Sequence, residues 1–194
     1  MKSAKLTSRF ECALVYASRL HARQTRKASD IPYISHLLSV AALVIEHGGS
    51  EDEAIAALLH DAIEDQGGAE TRQEIHRRFG KAVTAIVNGC TDAETRPKPP
   101  WRQRKEEFIR SLRQASPEVL RVAAADKLHN VRSILSDYRT CGEAVWERFH
   151  TGKEGTLWYY REVTGALERR NDSRLVEELG KAVTELETLA RLVP

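Results

Sequence analysis

A histidine and three carboxylates fall within residues 58–65, as His60, Asp61, Glu64 and Asp65. Residues four apart share one face of a helix, so His60 is expected above Glu64 and Asp61 above Asp65. The four side chains would then face one cleft. Imidazole and carboxylate groups bind divalent metals and accept protons, so this segment could support metal-dependent hydrolysis. Taken alone, the pattern fits a solvated helix end equally well.

Two distant residues, His36 and Asp126, strengthen the metal interpretation. With His60 and Asp61 they make a set of two imidazoles and two carboxylates. Such mixed nitrogen and oxygen ligation suits Mn²⁺, Fe²⁺ or Zn²⁺ better than Ca²⁺ or Mg²⁺. A set without thiolates is typical of a catalytic site with open coordination positions. Burying these four groups without a metal would be costly, which favours a metal site.

Phosphoryl hydrolysis is the chemistry that this combination favours. A divalent ion supplies hydroxide near neutral pH and polarises a phosphoryl oxygen. Glu64 and Asp65, one helical turn from the ligands, could take the proton from the attacking water or orient it. Arg26 and Lys27 could neutralise phosphate charge on the substrate. They belong to a run without acids, residues 19–27, which is either an anion-binding patch or a basic helix end that complements its dipole.

Apolar periodicity predicts the helices that position these groups. A first helix is expected over residues 8–23, and a second over 35–47 with His36 in its first turn. A serine and glutamate capping box at residues 50–53 begins a third helix over 51–63. The end of this third helix carries the His-Asp pair.

Asp126 lies in a later helix whose start is marked by Ser116 as N-cap and Pro117 in the first turn. Asp126 and Asn130 are four apart and share a face of that helix. Before it, residues 92–100 contain three prolines and form a loop that could act as a flap over the site. Further helical periods are predicted over residues 71–79, 81–90, 101–114, 144–149, 155–167 and 175–189.

The predicted fold class is all-α, because no alternating strand pattern and no repeat is present. A length of 194 residues suits one hydrophobic core. We expect one domain over residues 1–194 with about eight to ten helices. Its metal and catalytic core would cover about residues 8–165. An amphipathic C-terminal helix over about residues 172–192 could serve a homo-oligomer interface.

Composition argues against several classes of protein. The 30 basic and 28 acidic residues leave a net charge of +2, too small to indicate nucleic-acid binding. Three cysteines without paired spacing argue against a disulfide framework and for a reducing compartment, and Cys12 and Cys90 are expected in the core. No apolar run could span a bilayer and no signal peptide follows the N-terminal charges, so we expect a cytoplasmic protein without a membrane partner.

Four short segments occur in a fixed order over about 110 residues: RK at 26–27, PYISH at 32–36, LLHDAIED at 58–65 and ADKLHNVR at 125–132. Their histidine and aspartate positions resemble the HD-domain metal-dependent phosphohydrolases. The fuller segments resemble the hydrolase domain of the RelA/SpoT family, and ordered motifs of this length are specific. The chain length is similar to that of a stand-alone small alarmone hydrolase of the MESH type, without synthetase or regulatory domains.

The resemblance implies a helical bundle that uses one Mn²⁺ to remove pyrophosphate from the 3′ position of (p)ppGpp, or of the related (p)ppApp. It implies metal ligation by His36, His60, Asp61 and Asp126. It further implies catalytic roles for Glu64 and Asp65, and nucleotide contacts from Arg26, Lys27, Asn130 and Tyr160. The chain departs from the family's long enzymes in the loop 28–31, at Leu37, where proline is usual, and at Lys127, where arginine is usual. The changed loop leaves the purine preference open.

Two other functions remain open on the sequence alone. One is a nucleotide phosphatase of the same fold that acts on NADPH or a nucleoside monophosphate, and the other is a metal-free nucleotide-sensing module. Glu64 and Asp65 argue against the sensor, because binding alone needs no water-activating carboxylate. Among the remaining histidines, His129 is expected to make a structural hydrogen bond, and the others are expected at the surface: His21, His76 and His150.

Overall fold

The computed structural model describes residues 5–93 and 97–192, in which the regular elements are helices. Described residues form no strand, and one isolated antiparallel bridge joins Thr25 to Pro32. The predicted all-α class is therefore confirmed. The α-helices are α1 Ser8–Leu20, α2 Ile34–Glu46, α3 Glu51–Leu59, α4 Ala62–Gln66, α5 Gly68–Cys90, α6 Trp101–Ser111, α7 Pro117–Cys141, α8 Gly152–Glu168 and α9 Arg174–Leu192. Two 3₁₀ turns cover Leu112–Gln114 and Gly142–Arg148.

Helix α7 lies at the centre of the bundle, where it contacts α2, α3, α5, α8 and α9. It begins as predicted, because the Ser116 hydroxyl accepts the Val119 N–H and Pro117 occupies the first turn. Its apolar side is buried throughout, from Leu120 to Leu135. Asp126, halfway along this helix, is consequently held deep in the bundle.

Helix α3 is buried on every side, with residues 53–59 all shielded from solvent. Three alanines at positions 54, 56 and 57 allow neighbouring helices to approach closely. Its single buried charge, Glu53, pairs with Arg121 of α7. The packing of α3 therefore fixes the position of the two residues that follow it, His60 and Asp61.

The prediction of one continuous helix over residues 51–63 is wrong. Helix α3 ends at Leu59, and α4 starts at Ala62. The His60 Nδ1 atom lies 2.8 Å from the Ala57 carbonyl oxygen, which in a continuous helix accepts the N–H of Asp61. The side chain thus competes with the backbone for the same acceptor. Beyond the break, the Asp65 N–H donates to the Asp61 carbonyl at 3.0 Å, so the predicted turn over residues 61–65 persists.

A glycine break divides α5, as the sequence predicts. Gly80 has φ 86° and ψ 179° inside an otherwise helical segment. Only glycine adopts this backbone conformation without strain, so it allows the two helical halves to change direction. Cys90 at the end of α5 is partly buried against the core, whereas Cys12 is exposed and its predicted core position is wrong. The residue faces outward because Ala13 and Ala17 form the buried side of α1.

Some expectations lie outside these observations. Residues 94–96 of the predicted flap, and residues 1–4 and 193–194 at the two ends, fall outside the described ranges. The assignment of residues 1–194 to one domain stays a prediction. Along the described part of the chain, no helix combines the length and the apolar character that crossing a membrane requires.

Replacing Ser50 by alanine is expected to lower the free energy of unfolding by about 1 kcal/mol. The Ser50 hydroxyl accepts the Glu53 N–H, and the Glu53 carboxylate accepts the Ser50 N–H at 2.7 Å, so the substitution unpairs the first turn of α3. Urea denaturation followed by circular dichroism measures the loss. Ser18→Ala, an exposed site inside α1, is the matched control and should change stability by less than about 0.5 kcal/mol. Equal stability of the two variants would contradict the capping role.

Candidate metal centre and catalytic site

Three helices bring His36, His60 and Asp126 into one buried cluster. One ligand atom from each of these residues lies within 4.8 Å of the others. The His36 Nε2 atom is 3.3 Å from both the His60 Nε2 atom and the Asp126 Oδ1 atom. Asp61 adds its Oδ2 atom at 2.9 Å from His60 Nε2 and 3.7 Å from His36 Nε2. The four residues predicted as metal ligands therefore converge on one point.

The outer ring nitrogens of the two histidines are already engaged, which orients the inner ones. The His60 Nδ1 atom can only donate to the Ala57 carbonyl, so its Nε2 atom can present a lone pair to the cluster. The His36 Nδ1 atom lies 2.7 Å from the Nδ1 atom of His129. His129 makes the predicted hydrogen bond, and its partner is one of the proposed ligands. Such partners commonly fix the tautomer and direction of a ligating imidazole.

The cluster has strong internal electrostatics. Burial disfavours the charged ring of His60, but the Asp61 and Asp126 carboxylates hold its pKa well above the usual value. Burial likewise opposes ionisation of both carboxylates, yet His60 at Asp61, and Lys127 at Asp126, hold their pKa values well below the usual range. The Tyr33 hydroxyl donates to Asp61 Oδ2 at 2.5 Å. The buried carboxylate of Asp126 and the half-buried carboxylate of Asp61 thus remain ionised next to neighbouring positive charge.

This donor set fits a divalent cation. Two imidazole nitrogens and two carboxylate oxygens converge, and the carboxylates stay ionised although Asp126 is buried and Asp61 is half-buried. A cation at this point would compensate the negative charge of the two carboxylates, which the protonated His60 ring compensates otherwise. The described residues thus offer a suitable site for a divalent metal. The identity of the ion is a separate question, and the individual ligand roles stay predictions.

Replacing His129 by phenylalanine is expected to weaken metal binding about 10- to 100-fold, because His36 then loses the acceptor that orients its ring. Isothermal titration calorimetry with Mn²⁺ measures the affinity. His129→Asn supplies an amide oxygen near the position of the lost nitrogen and should retain most of it. His76→Phe, at an exposed site, controls for the loss of a histidine. Wild-type affinity in His129→Phe would contradict this role.

A cleft of about 670 Å³ opens above the cluster. Asp61, Glu64, Asp65 and Asp126 all line it, so three of the four polar residues of the 58–65 segment share a cleft while His60 lies beneath it. The residues predicted to contact a nucleotide line the same cavity: Arg26, Lys27, Asn130 and Tyr160. The structure therefore gathers every predicted site residue in or directly below one cleft.

Glu64 faces a basic wall of this cleft. Its Oε1 atom accepts a hydrogen bond from Lys98 Nζ at 2.6 Å and lies 3.8 Å from Arg104 Nη1. Burial and the neighbouring Asp92 raise the pKa of Glu64, although Lys98 and Lys105 oppose the shift. Asp92 itself is strongly acidic, since Lys105 outweighs burial and brings its pKa to about 2. Glu64 is thereby the carboxylate of this pair that accepts a proton more readily.

Asp65 faces the opposite side, toward the loop after α1. Its Oδ2 atom accepts a hydrogen bond from Gln24 Nε2 at 2.8 Å. Burial and the charge of Asp61 raise the pKa of Asp65, and the hydrogen bond from Gln24 opposes that shift. Glu64 and Asp65 are adjacent in sequence but have different neighbours, which gives them different chemical environments.

Arg26 and Asn130 connect the basic wall of the cleft with the buried cluster. The Arg26 guanidinium donates to Asn130 Oδ1 at 2.7 Å, and Asn130 Nδ2 donates to Asp126 Oδ1 at 2.5 Å. Partial desolvation and the nearby Lys105 lower the pKa of Lys27. Further basic residues line the cleft, namely Lys98, Arg104, Lys105, Lys127 and Arg148. The cavity is suited to a ligand with several phosphates.

Sequence reasoning missed several of these residues and misjudged others. His21 is buried, so its predicted surface position is wrong; its ring stacks on Tyr33 with centroids 5.4 Å apart. The acid-free run is divided, because Arg19 and Arg23 are exposed away from the cleft that Arg26 lines. Gln24, Lys98, Arg104 and Lys105 were not identified. The available signal was a pair of consecutive cations, Arg104 and Lys105, on the helix that follows the proline-rich loop.

Known proteins resemble this chain in sequence and in fold. Residues 13–156 match the family model described as HD domain. The Xenopus tropicalis protein named guanosine-3′,5′-bis(diphosphate) 3′-pyrophosphohydrolase MESH1 is 37% identical over 134 residues, covering 68% of this chain and 70% of that protein. The Homo sapiens protein of the same name is 34% identical over 153 residues, covering 77% and 80%. The solved structure of a metazoan ortholog of SpoT has a TM-score of 0.76 at 22% identity, covering 94% of this chain and 98% of that one.

Proposed function

The chain belongs to the HD-domain family, and from this premise we propose that it hydrolyses guanosine-3′,5′-bis(diphosphate), releasing pyrophosphate from the 3′ position. The observation that carries the proposal is the single cleft in which a buried His-Asp cluster, two further carboxylates and a basic wall meet. Similar proteins that bear this activity in their names support the choice of substrate. The adenosine analogue (p)ppApp belongs to the same proposal.

The proposed metal ligands are His36, His60, Asp61 and Asp126. When bound there, a divalent ion supplies Lewis-acid polarisation and lowers the pKa of water. Nitrogen and carboxylate donors without thiolate suit Mn²⁺, Fe²⁺ or Zn²⁺. One Mn²⁺ is the proposed ion because the resemblance to the RelA/SpoT hydrolase domain implies it, and Fe²⁺ or Zn²⁺ is less favoured.

The reaction breaks the bond between the ribose 3′ oxygen and its phosphorus. A water oxygen forms the new bond to that phosphorus, and pyrophosphate leaves as product. Glu64 and Asp65 line the cleft as carboxylates, so they can accept the proton of the attacking water. The proton then passes to the 3′ oxygen, which becomes a hydroxyl group. Arg26 and Lys27 neutralise phosphate charge, and Tyr160 lines the nucleotide side of the cleft.

Product identification tests this function. Purified protein with Mn²⁺ is incubated with ppGpp, with the adenosine analogue and with NADPH, and products are separated by anion-exchange chromatography. We expect pyrophosphate and the corresponding nucleoside 5′-diphosphate from ppGpp. Orthophosphate alone from every substrate would contradict the proposal and favour the nucleotide phosphatase. Binding of ppGpp without turnover would favour the sensing module.

The same proposal includes a cytoplasmic location and a small-molecule nucleotide as the partner. A homo-oligomer stays a further part of it, although the predicted interface on α9 finds no support: the apolar side of this helix, from Leu175 to Leu186, is buried against α7 and α8 of the same chain. Size-exclusion chromatography with light scattering checks the oligomeric state, and a monomer at all concentrations would contradict that part alone.

A further inference from the structure

A partly buried hydrogen-bond network connects the end of α1 to Asp65, one of the two proposed catalytic carboxylates. The Gln24 side chain lies at its centre, with its Oε1 atom 2.7 Å from His21 Nδ1 and 2.6 Å from Gln66 Nε2. Its Nε2 atom lies 2.8 Å from Asp65 Oδ2. We propose that Gln24 is a positioning residue for Asp65, and that His21 sets the direction in which the Gln24 amide points. This inference rests on the proposed catalytic role of Asp65.

The donors and acceptors of this network allow one arrangement. An ionised carboxylate only accepts hydrogen bonds, so the Gln24 NH₂ group must face Asp65. The Gln24 carbonyl oxygen then faces His21 and Gln66 and accepts from both. A reversed amide would place its oxygen against the Asp65 carboxylate and its NH₂ group against the ring of His21. Both hydrogen bonds therefore point the same way: His21 donates to Gln24, and Gln24 donates to Asp65.

His21 must carry its proton on Nδ1 to make this arrangement. Its Nε2 atom is buried and finds no hydrogen-bond partner within residues 5–93 and 97–192. A proton on Nε2 would leave a buried donor without an acceptor, and it would also place the bare Nδ1 lone pair against the Gln24 Oε1 atom at 2.7 Å, so two groups would be unpaired instead of one. Burial also lowers the pKa of His21, which keeps the ring neutral. The buried position thus selects the tautomer that donates to Gln24.

The backbone around Gln24 holds the amide in place. The Gln24 N–H donates to the His21 carbonyl at 3.0 Å, and the Gln24 carbonyl accepts the Tyr33 N–H at 2.9 Å. The Tyr33 ring stacks on His21, and its hydroxyl donates to Asp61. One rigid unit therefore touches both a proposed metal ligand and the carboxylate four residues later. The relative position of these two groups is what an attacking water requires.

The network also leaves the other oxygen of Asp65 available. All described hydrogen bonds to the Asp65 carboxylate end on Oδ2, and no described side chain donates to Oδ1. Asp65 lines the cleft, so Oδ1 is the atom that can meet a water or a phosphate proton. Without Gln24 the carboxylate could rotate and exchange its two oxygens.

Gln24→Met tests the positioning role, because methionine keeps the length of the side chain and removes both polar groups. We expect kcat for pyrophosphate release to fall about 10- to 100-fold, with KM and Mn²⁺ affinity within about twofold of wild type. The acid limb of the kcat–pH profile should move to higher pH, since the ionised carboxylate loses a donor. Gln73→Met, at an exposed site on α5, is the matched control. An unchanged kcat and an unmoved acid limb in Gln24→Met would overturn the proposal.

Two substitutions at His21 separate hydrogen bonding from packing. His21→Asn keeps a donor near the position of Nδ1 but loses the ring, and His21→Phe keeps a ring to stack on Tyr33 but loses the donor. We expect kcat of the asparagine variant to exceed that of the phenylalanine variant about tenfold. The reverse order would show that ring packing alone matters and would overturn the role of His21. Melting temperatures identify any loss that reflects unfolding.

A titration without substrate or metal separates this inference from the proposed function. The carboxyl ¹³C shift of Asp65, followed against pH in the intact protein, should report a higher pKa in Gln24→Met than in wild type. An equal pKa would overturn the inference even in an active enzyme. Failure of the wild-type protein to release pyrophosphate would instead overturn the proposed function, and the titration would still decide whether Gln24 acts on Asp65.

Discussion

Asp61→Ala is expected to reduce pyrophosphate release to the level of a protein-free control and to abolish measurable binding of Mn²⁺. The Asp61 carboxylate lies close to both imidazole nitrogens, at 2.9 Å from His60 Nε2 and 3.7 Å from His36 Nε2, and it shares this position with Asp126, at 3.6 and 3.3 Å. Its removal leaves Asp126 as the only carboxylate of the cluster. Two neutral imidazoles and one carboxylate attract a divalent ion far less than the full set does.

The measurement is isothermal titration calorimetry with Mn²⁺, together with circular dichroism to confirm that the variant is folded. Asp172→Ala removes an exposed carboxylate near α9 and should match the wild type in both metal binding and turnover. Tyr33→Phe keeps the carboxylate but removes the hydroxyl that donates to it, so its loss of affinity should be smaller. Wild-type Mn²⁺ affinity in Asp61→Ala would remove Asp61 from the metal site.

Glu64→Gln is expected to lower kcat by about 10²- to 10⁴-fold while the affinity for Mn²⁺ stays at the wild-type value. Glutamine has the same size but cannot accept a proton. Glu64 is separate from the His-Asp cluster and faces Lys98, so its replacement should leave the ligands in place. Glu70→Gln, at an exposed site on α5, provides the matched control.

The pH profile provides a second test of Glu64. Its pKa is raised by burial and by Asp92, and the residue acts as a base only when it is ionised. Activity of the wild type should therefore decline as pH falls through this raised pKa, which lies above that of an exposed glutamate. Asp65 also has a raised pKa and contributes to the same acid limb, so in Glu64→Gln the part of the decline that is due to Glu64 should disappear and the part due to Asp65 should remain. Full activity of that variant at neutral pH would eliminate Glu64 from the mechanism.

The sequence predicted those structural features that depend on residues close together in the chain. Ser116 and Pro117 begin α7 because capping and the proline φ angle act within one turn. Gly80 divides α5 because it alone tolerates the required φ. The break after His60 could not be predicted in this way. It depends on a ring nitrogen and a backbone N–H competing for one carbonyl, and no local sequence pattern specifies which of the two donors bonds to it.

The same distinction holds for the candidate site: some of its residues could be grouped from the sequence, and others could not. His36, His60 and Asp126 could be grouped from the sequence, because buried polar side chains on separate apolar helices need common compensation. Burial of His21 could not be anticipated, since it depends on stacking against Tyr33 across a loop. The contact of Lys98 with Glu64 was missed for a similar reason. It requires a proline-rich loop to return to α4, and no local pattern specifies where that loop lies.

Most cations of the cleft already have an acidic partner in the described residues. Lys98 pairs with Glu64, Lys105 with Asp92, Lys127 with Asp126 and Arg148 with Asp137. A polyphosphate that enters the cleft must therefore displace these carboxylates from the cations, because the cations are already paired. This exchange would release Glu64 from Lys98 only when phosphate arrives, so the proposed base would become available when there is a bond to hydrolyse.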